Sequence, residues 1–284
     1  MTWRVGSWLL VGAGSHIGVA TETKIAGFAT EVFRMTRDGS LGSIKLTLGE
    51  QIPNLPRAKQ GGVAVIFAAQ HGHEVCQADA EGTRRVNVDA TMELCERLNT
   101  LGWHIVFISS EAAIVNESTE PTSEYGHQKR EVENYLSGFR NEASVLRLSK
   151  VIDVKKEPWS NWIQDIKDGK AVFAFENYYL SPLAVSQASA AVLAVGSARS
   201  GGIWHASGLS SISYFEFLRI LSKRLGTPSS VNAETRTSSR SHFVSGGSMD
   251  NSRIVNTGLW VQPSSDEVCD ALVSELNSNK EFLC

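Results

Sequence analysis

The feature that most constrains the fold is an alternation of short apolar segments with longer amphipathic ones in the first half of the chain. One of these segments, VAVIFAA at residues 63–69, is apolar on both faces. Strands buried on both faces and separated by helices are typical of a parallel sheet covered by helices. The sequence therefore predicts an α/β protein with strands at residues 7–11, 31–36, 63–69, 104–109 and 144–148.

The segments between these strands have helical patterns. In residues 86–98, Val88, Met92, Cys95 and Leu98 recur at spacings of four, three and three, which places them on one helical face. That face suits packing against the sheet and contact with a second copy of the chain equally well.

The pattern loosens after Lys150. Tryptophans Trp159 and Trp162 lie three residues apart on one face of a predicted helix, where they either join the core or line a pocket. The other predicted elements are helices at residues 182–195 and 213–225, a strand at residues 171–175, and a Ser-, Thr- and Gly-rich loop at residues 227–249.

Size and charge narrow the functional class. A chain of 284 residues can bury a core without disulfides or a metal. Its 27 basic and 30 acidic residues argue against nucleic-acid binding. No apolar run reaches the roughly 18 residues of a membrane helix. The four dispersed cysteines form no CxxC, so we expect a cytoplasmic protein with reduced thiols. Because of the charge balance and the short apolar runs, we expect no nucleic-acid or membrane partner.

A glycine-rich turn, Gly12-Ala13-Gly14-Ser15-His16-Ile17-Gly18, follows the first predicted strand. Glycines let the backbone approach a pyrophosphate, and the start of the next helix attracts it. The GxGxxG fingerprint would need a glycine where Ile17 stands, and the GxxGxxG spacing would have Ser15 in its middle. We predict that six of these residues, all except Ala13, bind the cofactor at its phosphates; the alternative is a glycine-rich turn without a ligand.

The end of the second strand bears on the choice of cofactor. A carboxylate there typically binds the ribose of NAD, and a cation the 2′-phosphate of NADP. Arg37, together with Arg34, favours NADP(H), while Asp38 is the group that could serve NAD(H) instead. We therefore predict NADP(H) in preference to NAD(H).

Tyr125 and Lys129 stand at positions i and i+4 of a predicted helix. A lysine ammonium beside a phenol lowers the pKa of the phenol, so this tyrosine could exchange a proton with a carbonyl group. Ser110 ends a buried strand, where open α/β sheets bind ligands, and its hydroxyl could hold the substrate oxygen. These three residues form the predicted catalytic set; a surface helix pair is the alternative for Tyr125 and Lys129.

The order of several motifs resembles that of the extended short-chain dehydrogenases/reductases. These are Gly12-x-x-Ser15-x-x-Gly18, Ala68-Ala69, Asn87, Ser109-Ser110, Tyr125-x-x-x-Lys129 and Arg147, which span about residues 7–150. Further along, Asn161-Trp162 and Leu180-Ser181-Pro182 resemble elements of the dTDP-4-dehydrorhamnose reductase branch.

The resemblance implies a Rossmann-type doubly wound parallel sheet with a small C-terminal α/β substrate domain. The NAD(P)-binding domain would comprise residues 1–150 and the substrate region residues 151–284, with residues 171–200 returning to the Rossmann core. It leaves a homodimer open, through the helices at residues 86–98 and 125–136.

The resemblance also implies roles for individual residues. Tyr125 would be the proton donor, Lys129 would lower its pKa and bind the nicotinamide ribose, and Ser110 would hold the reacting oxygen. The remaining implied roles are cofactor contacts for Ala68 and Ala69, substrate contacts for Asn161 and Trp162, and bracing of the core by Asn87 and Arg147.

The predicted activity is reduction by NAD(P)H of a keto group, on a nucleotide-activated sugar. A nucleotide-sugar epimerase that holds NAD tightly, a reductase of a non-sugar ketone and a non-catalytic Rossmann-like regulatory subunit remain alternatives. Ser15 and the short segment of 14 residues between Ser110 and Tyr125 favour the last of these. Dehydration is disfavoured, because Glu111-Ala112 stands where dehydratases of this family carry Asp-Glu.

A histidine-rich segment, His71-Gly72-His73-Glu74, contains three groups that can ligate zinc. Further ligands at a useful spacing are lacking in the sequence. We therefore predict no metal.

Overall fold

The computed structural model describes residues 6–59, 61–67, 72–114, 121, 123–227, 231–235 and 247–278. Its strands are β1 (Ser7–Val11), β2 (Glu31–Thr36), β3 (Ile44–Lys45), β4 (Val63–Ile66), β5 (His104–Ser110), β6 (Ala143–Leu148), β7 (Val151–Ile152), β8 (Val172–Phe175), β9 (Tyr179–Leu180), β10 (Leu183–Ala184), β11 (Gly202–Ala206), β12 (Ile212–Ser213) and β13 (Val231–Glu234).

The helices follow the strands in the alternation that the sequence predicts. They are α1 (His16–Ile25), α2 (His73–Ala78), α3 (Ala80–Arg84), α4 (Ala90–Thr100), α5 (Glu124–Leu136), α6 (Trp159–Lys167), α7 (Val185–Ala198), α8 (Tyr214–Arg224), α9 (Ser252–Val255) and α10 (Ser265–Ser278). A π-helical turn, Arg85–Asp89, joins α3 to α4.

Seven strands form the central sheet in the order β11-β6-β5-β4-β1-β2-β3, and all of its pairings are parallel. Every residue of β1, β4 and β6 is buried, because helices cover both faces of the sheet. Helices α1 and α7 pack on one face, and α4 and α5 on the other. This doubly wound Rossmann-type sheet confirms the predicted fold class.

The predicted apolar face of residues 86–98 packs against the sheet. Val88, Cys95 and Leu98 are fully buried in the core on the α4 side, and Met92 packs at its edge. This stretch therefore contributes to the core of the subunit itself.

The second half of the chain has a separate apolar core, built from α6, α8, α10 and β8. The prediction of a loop at residues 227–249 is wrong for Val231–Glu234, which pairs in parallel with β8. Asn232, Ala233 and Glu234 are exposed, so main-chain pairing rather than an apolar pattern forms this strand. Strand β11, which the sequence did not indicate, extends the central sheet beside β6.

None of the helices in the described part of the chain combines the length and apolar composition that a membrane crossing needs.

Candidate functional site

A cleft opens where the connections from the central sheet diverge to its two sides. Strand β1 lies between β2 and β4 there, and ligands of open α/β sheets bind at the carboxyl ends of the strands beside such a point. Gly12 turns the chain with a φ of 79°, and its N–H donates to the carbonyl of Met35 at 2.9 Å. Gly18 sits so close to this turn that a Cβ would lie 2.9 Å from two backbone oxygens. Both glycines are thus needed to fold α1 back onto the turn.

Ser15 occupies the N-cap of α1. Its Oγ accepts a hydrogen bond from the N–H of Gly18 at 3.0 Å, so the hydroxyl satisfies the helix itself. At Gly14 a Cβ would meet nothing within 4 Å, which leaves the outer side of the turn open. The first turn of a helix carries N–H groups without intrahelical partners, and these give the turn its affinity for anions.

The cleft beside this turn has a volume of about 690 Å³ and is lined by Val11, Gly12, Gly14, Ser15, Met35, Thr36, Arg37, Asp38, Ser40, Leu46, Thr47, Leu48, Phe67 and Val86. Arg37 is exposed at its rim. Arg34 instead forms an ion pair with Glu22 at 3.3 Å. Hydrogen bonds from the backbone and side chain of Ser40 and from Thr36 lower the pKa of Asp38, so its negative charge persists next to Arg37.

A second cavity, of about 400 Å³, contains the predicted catalytic hydroxyls. Ser110 and Tyr125 both line it, at the carboxyl end of β5 and in the first turn of α5. The other lining residues are Ile17, Gly72, His73, Ile108, Ser109, Glu111, Ala112, Leu148, Ser149, Lys150, Val151, Asp153, Lys156, Glu157, Pro158, Trp159, Tyr178, Tyr179, Leu180 and Tyr214.

Lys129 lies buried beneath this cavity. Its Nζ donates to the carbonyl of Ile108 at 2.9 Å and lies 4.6 Å from the ring centroid of Phe107 and 5.8 Å from that of Tyr125. Burial lowers the pKa of Lys129 to about 8, against the opposing charge of Glu133. The predicted Tyr–Lys neighbourhood is therefore present, with the ammonium anchored to a strand carbonyl.

The predicted lowering of the Tyr125 pKa is wrong. Burial raises the pKa of Tyr125, and a hydrogen bond with Ser110 opposes that rise only in part. The reason is desolvation: removing a phenolate from water costs more than the surrounding groups return. The sequence shows the spacing of two residues but not their burial.

A buried network braces the strand ends below the cavity. Arg147 donates from Nε to Glu133 Oε1 at 2.9 Å and from Nη2 to Oε2, while the Ser109 hydroxyl donates to Oε1 at 2.6 Å. On the other side of α5, Asn87 donates to Gln128 at 2.8 Å. Arg147 and Asn87 thus brace the core around the site, as expected.

The charged side chains that line the cavity were not among the predicted site residues, and Glu111 and Lys150 lie nearest to Ser110 in position along the strand ends. Glu111 follows Ser110 directly, and Lys150 lies just beyond the end of β6. Burial raises the pKa of Glu111 to about 7, and burial lowers the pKa of Lys150; each charge partly opposes the shift of the other. The signals in the sequence were their positions after strand ends and, for Glu111, its place where dehydratases of the family carry Asp-Glu.

The other predicted site residues are dispersed. Trp159 lines the catalytic cavity. Trp162 packs edge-on against the Trp159 ring, with 5.1 Å between the ring centroids, and Asn161 is exposed. Neither Trp162 nor Asn161 is among the lining residues. Substrate contacts by Asn161 and Trp162 therefore stay a prediction. Ala68, Ala69 and His71 lie outside the described residues.

His16 and Ile17 face the second half of the chain. His16 Nδ1 contacts a carboxylate oxygen of Asp153, and Ile17 lines the catalytic cavity. His73 contacts the ring of Tyr125, with 5.3 Å between ring centroids. Within the described ranges, no cluster of three or more His, Cys, Asp or Glu side chains is placed to hold a metal ion.

Comparison with known proteins places this chain among the extended short-chain dehydrogenases/reductases, the class that its sheet and strand-end cavities define. The model of the RmlD substrate binding domain matches residues 7–263, and the chain belongs to this family. The prediction of an NAD(P)-dependent enzyme type from the branch of dTDP-4-dehydrorhamnose reductases is thereby confirmed at the level of class. No curated protein matches the sequence.

Three solved structures illustrate the similarity of fold. A hypothetical dTDP-4-dehydrorhamnose reductase from Sulfolobus tokodaii shares 22% identity over 88% of this chain and 94% of its own, with a TM-score of 0.72. The dTDP-4-dehydrorhamnose reductase of Bacillus anthracis, in complex with NADP, shares 14% identity over 97% of this chain and 100% of its own, with a TM-score of 0.78. The UDP-N-acetylglucosamine 4-epimerase of Methanobrevibacter ruminantium, in complex with UDP-N-acetylmuramic acid, shares 16% identity over 96% of this chain and 99% of its own, with a TM-score of 0.75.

Proposed function

We propose that the protein reduces a keto group on a nucleotide-activated sugar with NADPH, and that Tyr125 donates the proton. The observation that carries the proposal is the shared cavity: the Ser110 and Tyr125 hydroxyls line it together, above the buried Lys129. Two hydroxyls and a lysine at the carboxyl end of a parallel sheet are the groups that a carbonyl reduction needs.

The residues of the cofactor cleft fit a dinucleotide. The turn at Gly12 and the open side of Gly14 leave room for a pyrophosphate against the start of α1. When bound, NADPH supplies the hydride. Residues 12 and 14–18 would hold its phosphates, Ala68 and Ala69 would lie along its path, and Lys129 would bind the nicotinamide ribose.

The preference for NADP(H) over NAD(H) rests on Arg37. Its guanidinium stands exposed at the rim of the cleft, where it can meet a 2′-phosphate, whereas Arg34 is held by Glu22. The negative charge of Asp38 repels a 2′-phosphate and so opposes this preference. We expect the two parallel hydrogen bonds that an arginine guanidinium donates to a phosphate to outweigh that repulsion. The Bacillus anthracis relative contains NADP, which agrees with this choice.

In the reaction, the Ser110 hydroxyl would hold the carbonyl oxygen, and the Tyr125 hydroxyl would pass its proton to that oxygen as negative charge develops. The raised pKa of Tyr125 keeps the phenol protonated before the reaction, as a proton donor requires. Protonated Lys129, close to the ring, then stabilises the phenolate that remains.

The test is the variant Tyr125→Phe. We expect kcat for oxidation of NADPH with dTDP-4-dehydrorhamnose to fall by about 10²- to 10⁴-fold, the range for losing a positioned proton donor. NADPH affinity, measured by nicotinamide fluorescence, should stay unchanged. Tyr135→Phe is the matched control, since Tyr135 lies on the same helix and packs on Phe139. Full activity of Tyr125→Phe would remove Tyr125 from the mechanism.

The same assay separates the alternatives. An epimerase would purify with bound NAD and convert its substrate without net oxidation of NADPH, and a regulatory subunit would do neither. Nucleotide-sugar binding is supported by the ligand of the Methanobrevibacter ruminantium relative. A cytoplasmic location and a homodimer stay predictions.

A further inference from the structure

One ring in the catalytic cavity contacts Tyr125 and has no part in the proposed reaction. His73 lines the cavity together with Ser110 and Tyr125. Its ring centroid lies 5.3 Å from that of Tyr125, and the two ring planes meet at 65°. This is the edge-to-face arrangement that aromatic rings favour. The contact therefore restricts the directions in which the Tyr125 ring can point.

The fold holds His73 in this place. His73 is the first residue of α2, and Gly72 before it has a φ of 112°, a conformation that other residues rarely adopt. Cys76, one turn further along α2, is fully buried, and its Sγ accepts a hydrogen bond from Asn87 Nδ2 at 3.7 Å. Asn87 also donates to Gln128 on α5 at 2.8 Å. The start of α2 is thereby tied to the helix that carries the catalytic tyrosine.

A proton donor needs more than the hydrogen bond at its own hydroxyl. Tyr125 bonds with Ser110, but that bond holds only the end of a side chain that turns about two single bonds. Proton transfer requires the donor within hydrogen-bond reach of its acceptor. A displacement of about 1 Å can lower the rate of such a step roughly 100-fold. A ring packed against the phenol prevents that displacement.

We propose that His73 is a positioning residue of the reduction, whose ring holds the Tyr125 phenol in place beside Ser110. The inference rests on the proposed function, because His73 has this role only if Tyr125 donates the proton. His73 acts through packing and exchanges no proton with the substrate. Another ring can therefore replace the imidazole, whereas a side chain without a ring cannot.

The test compares His73→Phe, which keeps a ring, with His73→Gln, which keeps a polar group without one. The assay is oxidation of NADPH with dTDP-4-dehydrorhamnose. We expect kcat to fall about 10- to 100-fold in His73→Gln, the effect of a misplaced donor. In His73→Phe it should stay within about threefold of the unaltered value, because an edge-to-face contact is kept. KM for the sugar should not change in either variant.

His127→Gln is the matched control, because His127 is an exposed imidazole on the same helix as Tyr125; it should keep kcat. An equal fall of kcat in His73→Phe and His73→Gln would overturn the proposal. So would a rise in KM at constant kcat, which would make His73 a substrate contact. If His73→Gln does not fold, His73→Leu, which also has no ring, takes its place.

A double variant shows whether His73 acts through Tyr125. In Tyr125→Phe the proton donor is already gone, so adding His73→Gln should lower kcat no further. A residue with an independent role would lower kcat by the same factor in both backgrounds, and that result would also overturn the proposal.

The ring contact can be measured without a substrate. In the NMR spectrum of the tyrosine rings, the Tyr125 signal is identified by its loss in Tyr125→Phe. We expect this signal to shift in His73→Gln, because the ring current of the imidazole disappears. A signal that does not move would show that the rings are not in contact and would refute the positioning role.

The two proposals fail in different ways. No turnover by the unaltered protein, or full activity of Tyr125→Phe, would refute the proposed function and the role of His73 with it. A large loss in Tyr125→Phe together with a normal kcat in His73→Gln would leave the reduction standing and remove only the role of His73.

Discussion

Two glutamates lie at the same edge of the central sheet in opposite circumstances. Glu133, on α5, has a side chain only 1% exposed, and both of its oxygens accept hydrogen bonds, from Arg147 and Ser109. Glu111, at the end of β5, has one oxygen equally enclosed and without a partner among the described residues.

The difference separates a buried carboxylate that stabilises the fold from a buried carboxyl group that does not. A buried carboxylate with matched donors is part of the fold, and removing one partner leaves an uncompensated charge. A buried carboxyl oxygen without a donor weakens the fold, because no hydrogen bond compensates for its removal from water.

The largest effect is expected at the satisfied glutamate. Arg147→Met leaves the buried charge of Glu133 without its cation, with the Ser109 hydroxyl still donating to it, so the free energy of unfolding should fall by about 3–5 kcal/mol in urea denaturation. The control Arg97→Met breaks an exposed pair with Glu93, 2.9 Å apart, which should cost less than about 1 kcal/mol. Equal losses of unfolding free energy in the two variants would show that the buried network stabilises the fold no more than an exposed ion pair does.

We expect Glu111 to make the free energy of unfolding depend on pH. Its pKa is raised from 4.5 to about 7 by burial, so the folded state keeps a proton that the unfolded chain releases. Stability is therefore greatest below the unfolded pKa and is lost as pH rises toward 7, by up to about 3 kcal/mol.

Glu111→Gln, which cannot titrate, should flatten this window. The measurement is urea denaturation from pH 5 to pH 8 for both proteins, since all other groups are shared. The same loss of stability with pH in the two proteins would show that Glu111 ionises freely in the fold.

The smallest effect concerns Ser15, a hydroxyl that the fold uses itself. Ser15→Ala removes the N-cap of α1 and should cost about 1 kcal/mol of unfolding free energy, whereas Ser15→Gly should cost only a few tenths. NADPH affinity of the folded variants, measured by fluorescence titration, should not change, because residue 15 would bind the phosphates through its main-chain N–H and its hydroxyl accepts from Gly18. A marked loss of affinity in Ser15→Gly would mean that the hydroxyl binds the cofactor.

The sequence predicted the sheet well, because strands buried on both faces consist of continuous apolar residues. The predicted bounds of β1 and β2 are the same as those in the structure. It did not predict β13, whose residues are mostly exposed, nor β11, which contains Gly202 and His205. Main-chain pairing with distant strands forms both.

The predicted catalytic residues lie together because their relation is local: Tyr125 and Lys129 share one helix face, and Ser110 ends a strand. The presence of Glu111 and Lys150 in one cavity depends on two strand ends far apart in sequence, and the raised pKa of Tyr125 depends on burial. Neither can be read from spacing.

The position of β11 has a consequence for how the chain must be made. Strand β6 is buried along its whole length, between β5 and β11, yet it ends at Leu148 while β11 begins at Gly202. During synthesis the ribosome releases β6 well before its outer neighbour, so the nascent chain carries an open, apolar edge that can pair with other chains. A fragment truncated near residue 150 would keep that edge permanently, and we expect it to aggregate.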